Sequence, residues 1–126
     1  MVSGTKGHSR AKSGAAALAR RGIKVAHIAI PDLDGSLRER RLALADVATA
    51  FGPGGTFVNV LHKWDTGEAV YGAAPFVGEA MAVDWTSARD YPFEPDAALV
   101  FADYAGPSAA LSPRELLKEQ VARAAK

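Results

Sequence analysis

Two short segments of this sequence combine residue types that can take part in chemistry. The first runs from Lys63 to Glu68 (KWDTGE) and places Trp64 next to Asp65. An exposed tryptophan beside a carboxylate can form part of a site for a cationic or aromatic group. The same spacing also fits an ordinary loop whose tryptophan packs in the core, so spacing alone leaves both interpretations open.

The second segment, residues 32–41, holds an acidic turn followed by arginines. The pair Asp34-Gly35 predicts a tight turn, because glycine adopts a positive φ without steric cost. Arg38 and Arg40 then share one face of the return strand, where they need solvent, a partner or an anionic ligand. Spacing alone is also consistent with a solvated, charged hairpin.

The sequence lacks the motifs of an autonomous metal or nucleotide site. It contains no cysteine, no GxxxxGK[ST] loop and no HExxH pattern. The histidines, His8, His27 and His62, are scattered, and the carboxylates are not clustered as a Mg²⁺ site requires. His27 lies within an apolar strand, which favours a packed residue over a ligand. We therefore expect no metal site in this chain.

The composition is typical of one small globular domain. The chain has 126 residues, of which 23% are charged and 48% hydrophobic. No apolar run approaches the ~20 residues that a membrane span needs. The absence of cysteine fits a reducing compartment, so we expect a cytoplasmic protein without membrane contact.

The first 22 residues differ from the rest in charge. Six basic side chains and no acid lie within residues 1–24, whereas acids outnumber bases in the remainder. The segment is rich in small residues and has no long apolar stretch. We expect residues 1–22 to form a basic, disordered arm, with nucleic-acid contact as a minor alternative.

The elements that must position the two segments form an α+β pattern. Alternating, β-branched or apolar runs predict strands over residues 23–30, 36–42, 56–61, 79–85 and 97–104, with the last as the central strand. Helical spacing predicts a helix over residues 43–51. Residues 62–71 and 86–96 are interpreted as loops. Ser112, Pro113 and Glu115 predict the capped start of a final helix.

Five segments, in this order, resemble the N-terminal β-grasp domain of glutamine synthetases. The branch that they resemble most is the divergent bacterial one that includes γ-glutamylpolyamine synthetases. The segments are the hairpin 32–42, the aromatic-Asp loop 64–67, the stretch 84–93, the apolar strand 97–104 and the Pro-Arg helix region 106–122.

The resemblance implies a fold and a set of roles. It implies an α+β, β-grasp (ubiquitin-like) mixed sheet over residues 23–108 with one packed helix, and a helix over 109–126 that leads into a catalytic domain. Asp65 would attract or deprotonate the incoming ammonium or amine, and Trp64 would line the same pocket. Residues with structural or interface roles would be Asp32, Gly35, Arg38 and Arg40.

The family's reaction implies cofactors and partners that lie outside this chain. ATP, with Mg²⁺, phosphorylates the γ-carboxylate of glutamate, and ammonia or an amine then displaces the phosphate. The β-grasp domain would serve a catalytic domain in cis or in the next subunit of a homo-oligomer. We expect the isolated chain to expose apolar surface and to self-associate.

Three functions remain open at the level of sequence. The first is the N-terminal domain or a fragment of an ATP-dependent glutamate–ammonia/amine ligase, not catalytic alone. The second is a free-standing β-grasp interaction module that regulates a synthetase ring or another partner. The third, nucleic-acid binding through residues 6–24, has weak support from one short basic segment.

Overall fold

The chain is described from a computed structural model, which covers residues 4–50, 55–72 and 75–126. Three α-helices, five strands and two short 3₁₀ helices are present in these ranges. In chain order they are α1 (Gly4–Arg20), β1 (Val25–Pro31), β2 (Leu37–Ala43), a 3₁₀ helix (Leu44–Asp46), α2 (Val47–Ala50), β3 (Thr56–Val58), β4 (Gly78–Asp90), β5 (Ala97–Tyr104), a second 3₁₀ helix (Pro107–Leu111) and α3 (Pro113–Ala124).

The five strands form one mixed sheet. Their order is β2-β1-β5-β4-β3. β1 and β5 are parallel, with a register that runs from Val25 opposite Ala97 to Ala29 opposite Phe101. β3 and β4 are antiparallel. This architecture confirms the prediction of an α+β domain, and β5 occupies the central position that its apolar sequence predicted.

Several element boundaries differ from the prediction. β4 continues through Asp90, although residues 86–90 were interpreted as a loop, so the strand ends just before Tyr91 and Pro92. β3 is shorter than predicted, because the chain turns from Asn59 onward. The Asn59 N–H still donates to the Val77 carbonyl at 3.0 Å, and its side-chain amide oxygen accepts from the Val77 N–H at 3.2 Å. The helix predicted over 43–51 divides into a 3₁₀ turn and one α-helical turn, and position 51 lies outside the described residues.

The prediction of a disordered arm over residues 1–22 is wrong for residues 4–20, because they form α1, a helix of 17 residues; residues 1–3 lie outside the described residues. Ala11 and Leu18 are buried. A Cβ atom at Gly14 would lie 2.1 Å from Cδ2 of Trp85, so glycine lets the helix approach the indole closely. Gly22, with φ +81°, comes after the helix in the left-handed conformation that commonly ends helices.

The chain divides into two compact units. Unit 1 comprises Met1–Ala29, Glu39–Gly55 and Val83–Ala102. Within the described ranges, its buried side chains are apolar except for that of His27. The apolar set is Ala11, Leu18, Ile23, Ala26, Ile28, Ala29, Leu44, Val47, Ala97, Ala98, Val100 and Ala102.

Unit 2 comprises Ile30–Arg38, Thr56–Ala82 and Asp103–Lys126. Its buried apolar side chains in the described ranges are Ile30, Leu61 and Tyr104. The other buried side chains are polar or charged, namely Asp32, Asn59, His62, Glu79, Asp103, Ser108 and Ser112. Unit 2 therefore depends on hydrogen-bonded polar groups in its interior.

The final helix begins as the sequence predicted. The Ser112 hydroxyl accepts a hydrogen bond from the Glu115 N–H at 3.3 Å, and Pro113 occupies the first turn. Asp103, buried at the end of β5, binds both Arg114 and Lys118 of α3. No residue of α3 is buried. None of the helices in the described ranges has the length and apolarity that a membrane crossing requires.

Candidate functional site

The segment from Trp64 to Val70 is a small closed turn within unit 2. Trp64 and Val70 form an isolated antiparallel bridge. Inside it, the Asp65 N–H donates to the Ala69 carbonyl at 3.0 Å, and the Glu68 N–H donates to the Asp65 carbonyl at 2.9 Å. Glu68 adopts φ +59°, a left-handed conformation that non-glycine residues rarely take. We call residues 64–70 the Trp64 loop.

Asp65 is exposed at the start of the turn and is fixed by its own loop. Its Oδ1 accepts hydrogen bonds from the N–H groups of Gly67 at 2.9 Å and Ala69 at 3.0 Å. Within the described residues, Oδ2 has no hydrogen-bond donor. The carboxylate is thus held at a defined position with one oxygen available to a cation or another donor.

Trp64 is half-buried, and its indole is packed on one face. The guanidinium carbon of Arg38 lies 4.8 Å from the ring centroid, within cation–π range. The indole Nε1 is buried and has no acceptor in the part of the chain that the structure describes. Trp64 therefore adjoins Asp65 as the sequence suggested, but its polar atom faces inward.

Arg38 joins the Trp64 loop to the turn between β1 and β2. Its Nε donates to Asp32 Oδ2 at 2.9 Å, and its Nη2 donates to Glu68 Oε1 at 2.8 Å. The hydrogen bond to Asp32 is the largest contribution that raises the pKa of Arg38, and the bond to Glu68 is the next. The guanidinium is therefore a fixed positive charge between two carboxylates.

Asp32 organises the turn that the sequence predicted. Its side chain is 0% exposed, its Oδ1 accepts from the Ser36 N–H at 2.8 Å, and Gly35 has φ +85°. Burial acts to raise the pKa of Asp32, but hydrogen bonds from Asp34, Arg38 and the Ser36 N–H outweigh it and lower this pKa. The carboxyl–carboxyl hydrogen bond to Asp32 raises the pKa of Asp34.

The structure thus brings together most of the residues that the sequence singled out. Asp32, Gly35, Arg38 and Trp64 with its neighbour Asp65 all belong to unit 2. Arg40 is exposed in β2 and is a member of unit 1. Glu68, which the sequence reasoning did not assign a role, connects the turn to the loop through Arg38; the only sequence signal for it was its place next to Gly67.

An apolar groove of about 380 Å³ lies on unit 2. Its walls are mostly apolar and include side chains from the Trp64 region, the 3₁₀ helix before α3 and α3 itself. They are Leu33, His62, Lys63, Tyr71, Gly72, Ala110, Leu111 and Leu116. His62 is buried and its ring nitrogens face the carbonyls of Pro31 at 3.1 Å and Ser108 at 3.4 Å, so it supports the wall structurally.

A second cluster of titratable side chains lies in unit 1. The ring nitrogens of buried His27 face Glu39 Oε1 at 2.7 Å and Glu94 Oε2 at 2.9 Å, and Tyr91 stacks on the ring at 4.1 Å. Arg41 also binds Glu94. The hydrogen bonds from Arg41 and, to a lesser extent, from His27 lower the pKa of Glu94 to about 2. His27 is packed, as its sequence context suggested.

Neither cluster is a metal site. Within residues 4–50, 55–72 and 75–126, no three or more His, Asp or Glu side chains are arranged to hold a metal ion. Asp32 and Glu68 are bound to Arg38, and Glu39 and Glu94 are bound to His27. The carboxylates of both clusters are therefore engaged by Arg38 or His27 and do not fit a Mg²⁺ ion.

Comparison with known proteins gives a fold relationship. No family model matches the sequence, and no curated protein matches it. Thirteen chains of solved structures do match. One is a complex with ADP of GmaS, a γ-glutamylmethylamide synthetase of the glutamine synthetase type, with a TM-score of 0.63. The fold is glutamine synthetase-like.

The match to GmaS is one of fold and covers a part of that enzyme. The two sequences are 22% identical over the match, which covers 88% of this chain and 25% of the GmaS chain. This chain therefore spans about a quarter of the length of the structure that it resembles, and the β-grasp-like fold expected from the sequence is confirmed.

Proposed function

We propose that this chain is the N-terminal β-grasp part of an ATP-dependent glutamate–ammonia/amine ligase of the glutamine synthetase type. The observation that carries the proposal is the fold match to a quarter of GmaS together with the fixed, exposed carboxylate of Asp65. In this proposal the chain is not catalytic alone, and it completes the amine site of a catalytic domain in a neighbouring subunit. ATP and Mg²⁺ bind outside the residues described here.

Asp65 supplies the chemistry that such a site needs. An amine attacks an activated carboxylate as the neutral, unprotonated base, whereas most simple amines are ammonium ions near neutral pH. An anionic carboxylate attracts the ammonium ion and accepts its proton. Asp65 suits this role because its Oδ1 is used by the loop, so the position of Oδ2 is fixed by the backbone.

The surface of unit 2 supports association with a catalytic domain. Its exposed apolar side chains in the described ranges include the α3 residues Leu116, Leu117 and Val121 as well as Leu111. Exposed apolar surface of this kind is typical of an interaction site. We propose that a glutamine synthetase-type catalytic domain covers this surface, in cis or from the next subunit of a homo-oligomer.

The same exposed surface also fits the alternative of a free-standing interaction module. The two functions predict different gene sequences downstream of the codon for Lys126. A catalytic domain that continues in frame supports the ligase, whereas a stop codon and a complete synthetase encoded elsewhere support the module. The nucleic-acid alternative rests on the basic N-terminal residues alone, of which Lys6, Arg10, Lys12 and Arg20 lie in helix α1.

The experiment that tests the proposal compares Asp65→Asn with Asp65→Ala in the assembled ligase. Asparagine keeps an oxygen that accepts from Gly67 and Ala69 but removes the charge, whereas alanine removes both. We expect the KM for the amine to rise by about tenfold or more in both variants, since a lost charged hydrogen bond is worth about 1.5–3 kcal/mol. The KM for ATP should stay within about twofold.

The matched control is Asp46→Asn, which removes one exposed carboxylate from unit 1. It should leave both KM values unchanged. An Asp65→Asn enzyme with wild-type amine dependence would rule out the proposed role of Asp65.

A further inference from the structure

Arg38 makes three contacts that converge on the Trp64 loop. It binds the fully buried Asp32 at 2.9 Å, it binds Glu68 at 2.8 Å, and it covers the face of Trp64 at 4.8 Å. Trp64 and Glu68 lie on either side of Asp65 in the loop. One side chain therefore holds both flanks of the residue that the proposed function uses.

The remaining hydrogen bonds of the Trp64 loop are internal to it. The Asp65 side chain binds the N–H groups of Gly67 and Ala69, and the backbone bonds join Asp65 to Glu68 and Ala69. In the described part of the chain, the side-chain hydrogen bond that connects this loop to another segment is the one from Arg38 to Glu68. Internal bonds preserve the shape of the loop, but they do not fix where the loop lies.

The orientation of Trp64 also depends on Arg38. The indole Nε1 is buried without an acceptor in the described residues, so no hydrogen bond from them fixes the ring. Among the described residues, Arg38 contacts the face of the ring through its guanidinium. Arg38 is itself fixed by Asp32, whose own position is determined by the Ser36 N–H and by the turn at Gly35.

We propose that Arg38 is a positioning residue, which clamps the Trp64 loop to the Asp32 turn and so holds Asp65 in place. The inference rests on the proposed function for its consequence in catalysis. The clamp needs arginine, because a planar guanidinium can bind two carboxylates through different nitrogens while its face lies on an indole. Lysine carries the same charge but has one ammonium centre and no planar face.

The direct test is backbone and indole NMR of the full 126-residue chain with the substitutions Arg38→Lys, Arg38→Gln and Glu68→Gln. We expect the order parameters of residues 65–69 to fall from the ~0.85 of rigid backbone to below ~0.6 in both Arg38 variants. The Trp64 indole N–H resonance should shift with them. Glu68→Gln keeps the Arg38–Asp32 pair and the fold, and it should loosen the same residues to a smaller extent.

The matched control is Arg21→Gln, which removes an arginine bound to an exposed carboxylate, Asp90, in unit 1. It should leave residues 65–69 unchanged. Unaltered order parameters and an unaltered indole resonance in both Arg38→Lys and Glu68→Gln would overturn the positioning role. If Arg38→Gln does not fold, these two variants still decide the question.

Kinetics of the assembled ligase separate this inference from the proposed function. Arg38→Lys should raise the KM for the amine less than Asp65→Asn does and leave the KM for ATP unchanged. If Arg38→Lys loosens the loop but Asp65→Asn leaves the KM for the amine unchanged, the positioning role of Arg38 is supported and the amine site is refuted. A rigid loop in both Arg38→Lys and Glu68→Gln, together with an impaired Asp65→Asn, would refute the clamp but not the amine site.

Discussion

The two compact units differ in the side chains that they bury, which are mostly apolar in unit 1 and mostly polar in unit 2. Unit 1 encloses aliphatic residues such as Ile28, Val47 and Val100, and the large apolar side chain that it exposes in the described ranges is Phe93. Unit 2 encloses carboxylates, an amide, a histidine and hydroxyls, while it exposes many large apolar side chains. The difference indicates that unit 1 has an aliphatic core of its own, whereas unit 2 leaves much of its apolar surface exposed; the proposed function assigns that surface to a partner.

The buried carboxylates and hydroxyls in the interior of unit 2 are hydrogen-bonded, although the buried Trp64 Nε1 has no acceptor among the described residues. Glu79 accepts hydrogen bonds from the N–H and the hydroxyl of Ser108, each at 2.7 Å. Asp103 binds Arg114 and Lys118, and Asp32 binds Arg38. These bonds fix the ends of loops and helices. They give unit 2 defined geometry rather than a large hydrophobic contribution to stability.

The largest expected effect comes from truncating a buried aliphatic side chain of unit 1, and an exposed aliphatic side chain of unit 2 is the comparison. Ile28 is 0% exposed and Leu117 is 63% exposed. We expect Ile28→Ala to lower the free energy of unfolding by about 2–5 kcal/mol, because it leaves a cavity in unit 1. Leu117→Ala should change it by less than about 0.5 kcal/mol. Urea denaturation measures both, and equal losses would remove the distinction between the units.

The next effect tests the polar interior of unit 2. Glu79→Ala leaves the buried N–H of Ser108 without its acceptor, so we expect a loss of about 1–3 kcal/mol in the free energy of unfolding. Glu79→Gln is the matched variant, because its amide oxygen can still accept from the N–H and its NH₂ can donate to the Ser108 hydroxyl. It should lose less. If Glu79→Gln lowered the free energy of unfolding more than Glu79→Ala does, the result would contradict this account.

A smaller, pH-dependent effect belongs to unit 1. The pKa of Glu94 is lowered to about 2, chiefly by Arg41 and then by His27. A carboxyl group whose pKa is lower in the folded state stabilises the fold above its ordinary pKa, 4.5. That stabilisation should be lost as the pH falls from about 4.5 towards about 2. We expect Glu94→Gln to flatten the fall in stability measured by denaturation over this range. An unchanged slope would show that Glu94 is not the group responsible.

The sequence predicted local features of the fold more successfully than tertiary ones. β5, the Asp34-Gly35 turn and the Ser112 cap depend on neighbouring residues, and the structure confirms all three. Helix α1 was missed because its buried positions are mostly small residues, and its docking depends on Gly14 meeting Trp85 from a distant part of the chain. A helix that packs through alanine and glycine shows little periodicity of large apolar residues in its sequence.

The candidate site shows the same division between local and distant contacts. The adjacency of Trp64 and Asp65 and the acidic turn were visible in the sequence. The contact of Arg38 with Glu68 joins residues that are 30 positions apart. No local pattern contains that pairing, and the left-handed backbone of Glu68 that directs its carboxylate is also set by the folded loop. The role of Asp65 in an amine site stays a prediction.

The pH dependence of Asp65→Asn in the assembled ligase tests the central claim most directly. The measured quantity is the ratio of wild-type to variant kcat/KM for the amine, from neutral pH to the pKa of the amine. If Asp65 attracts and deprotonates the ammonium ion, the ratio should be about tenfold or more at neutral pH and decline towards one as free amine accumulates. A ratio near one at every pH, or one that does not decline, would contradict the account.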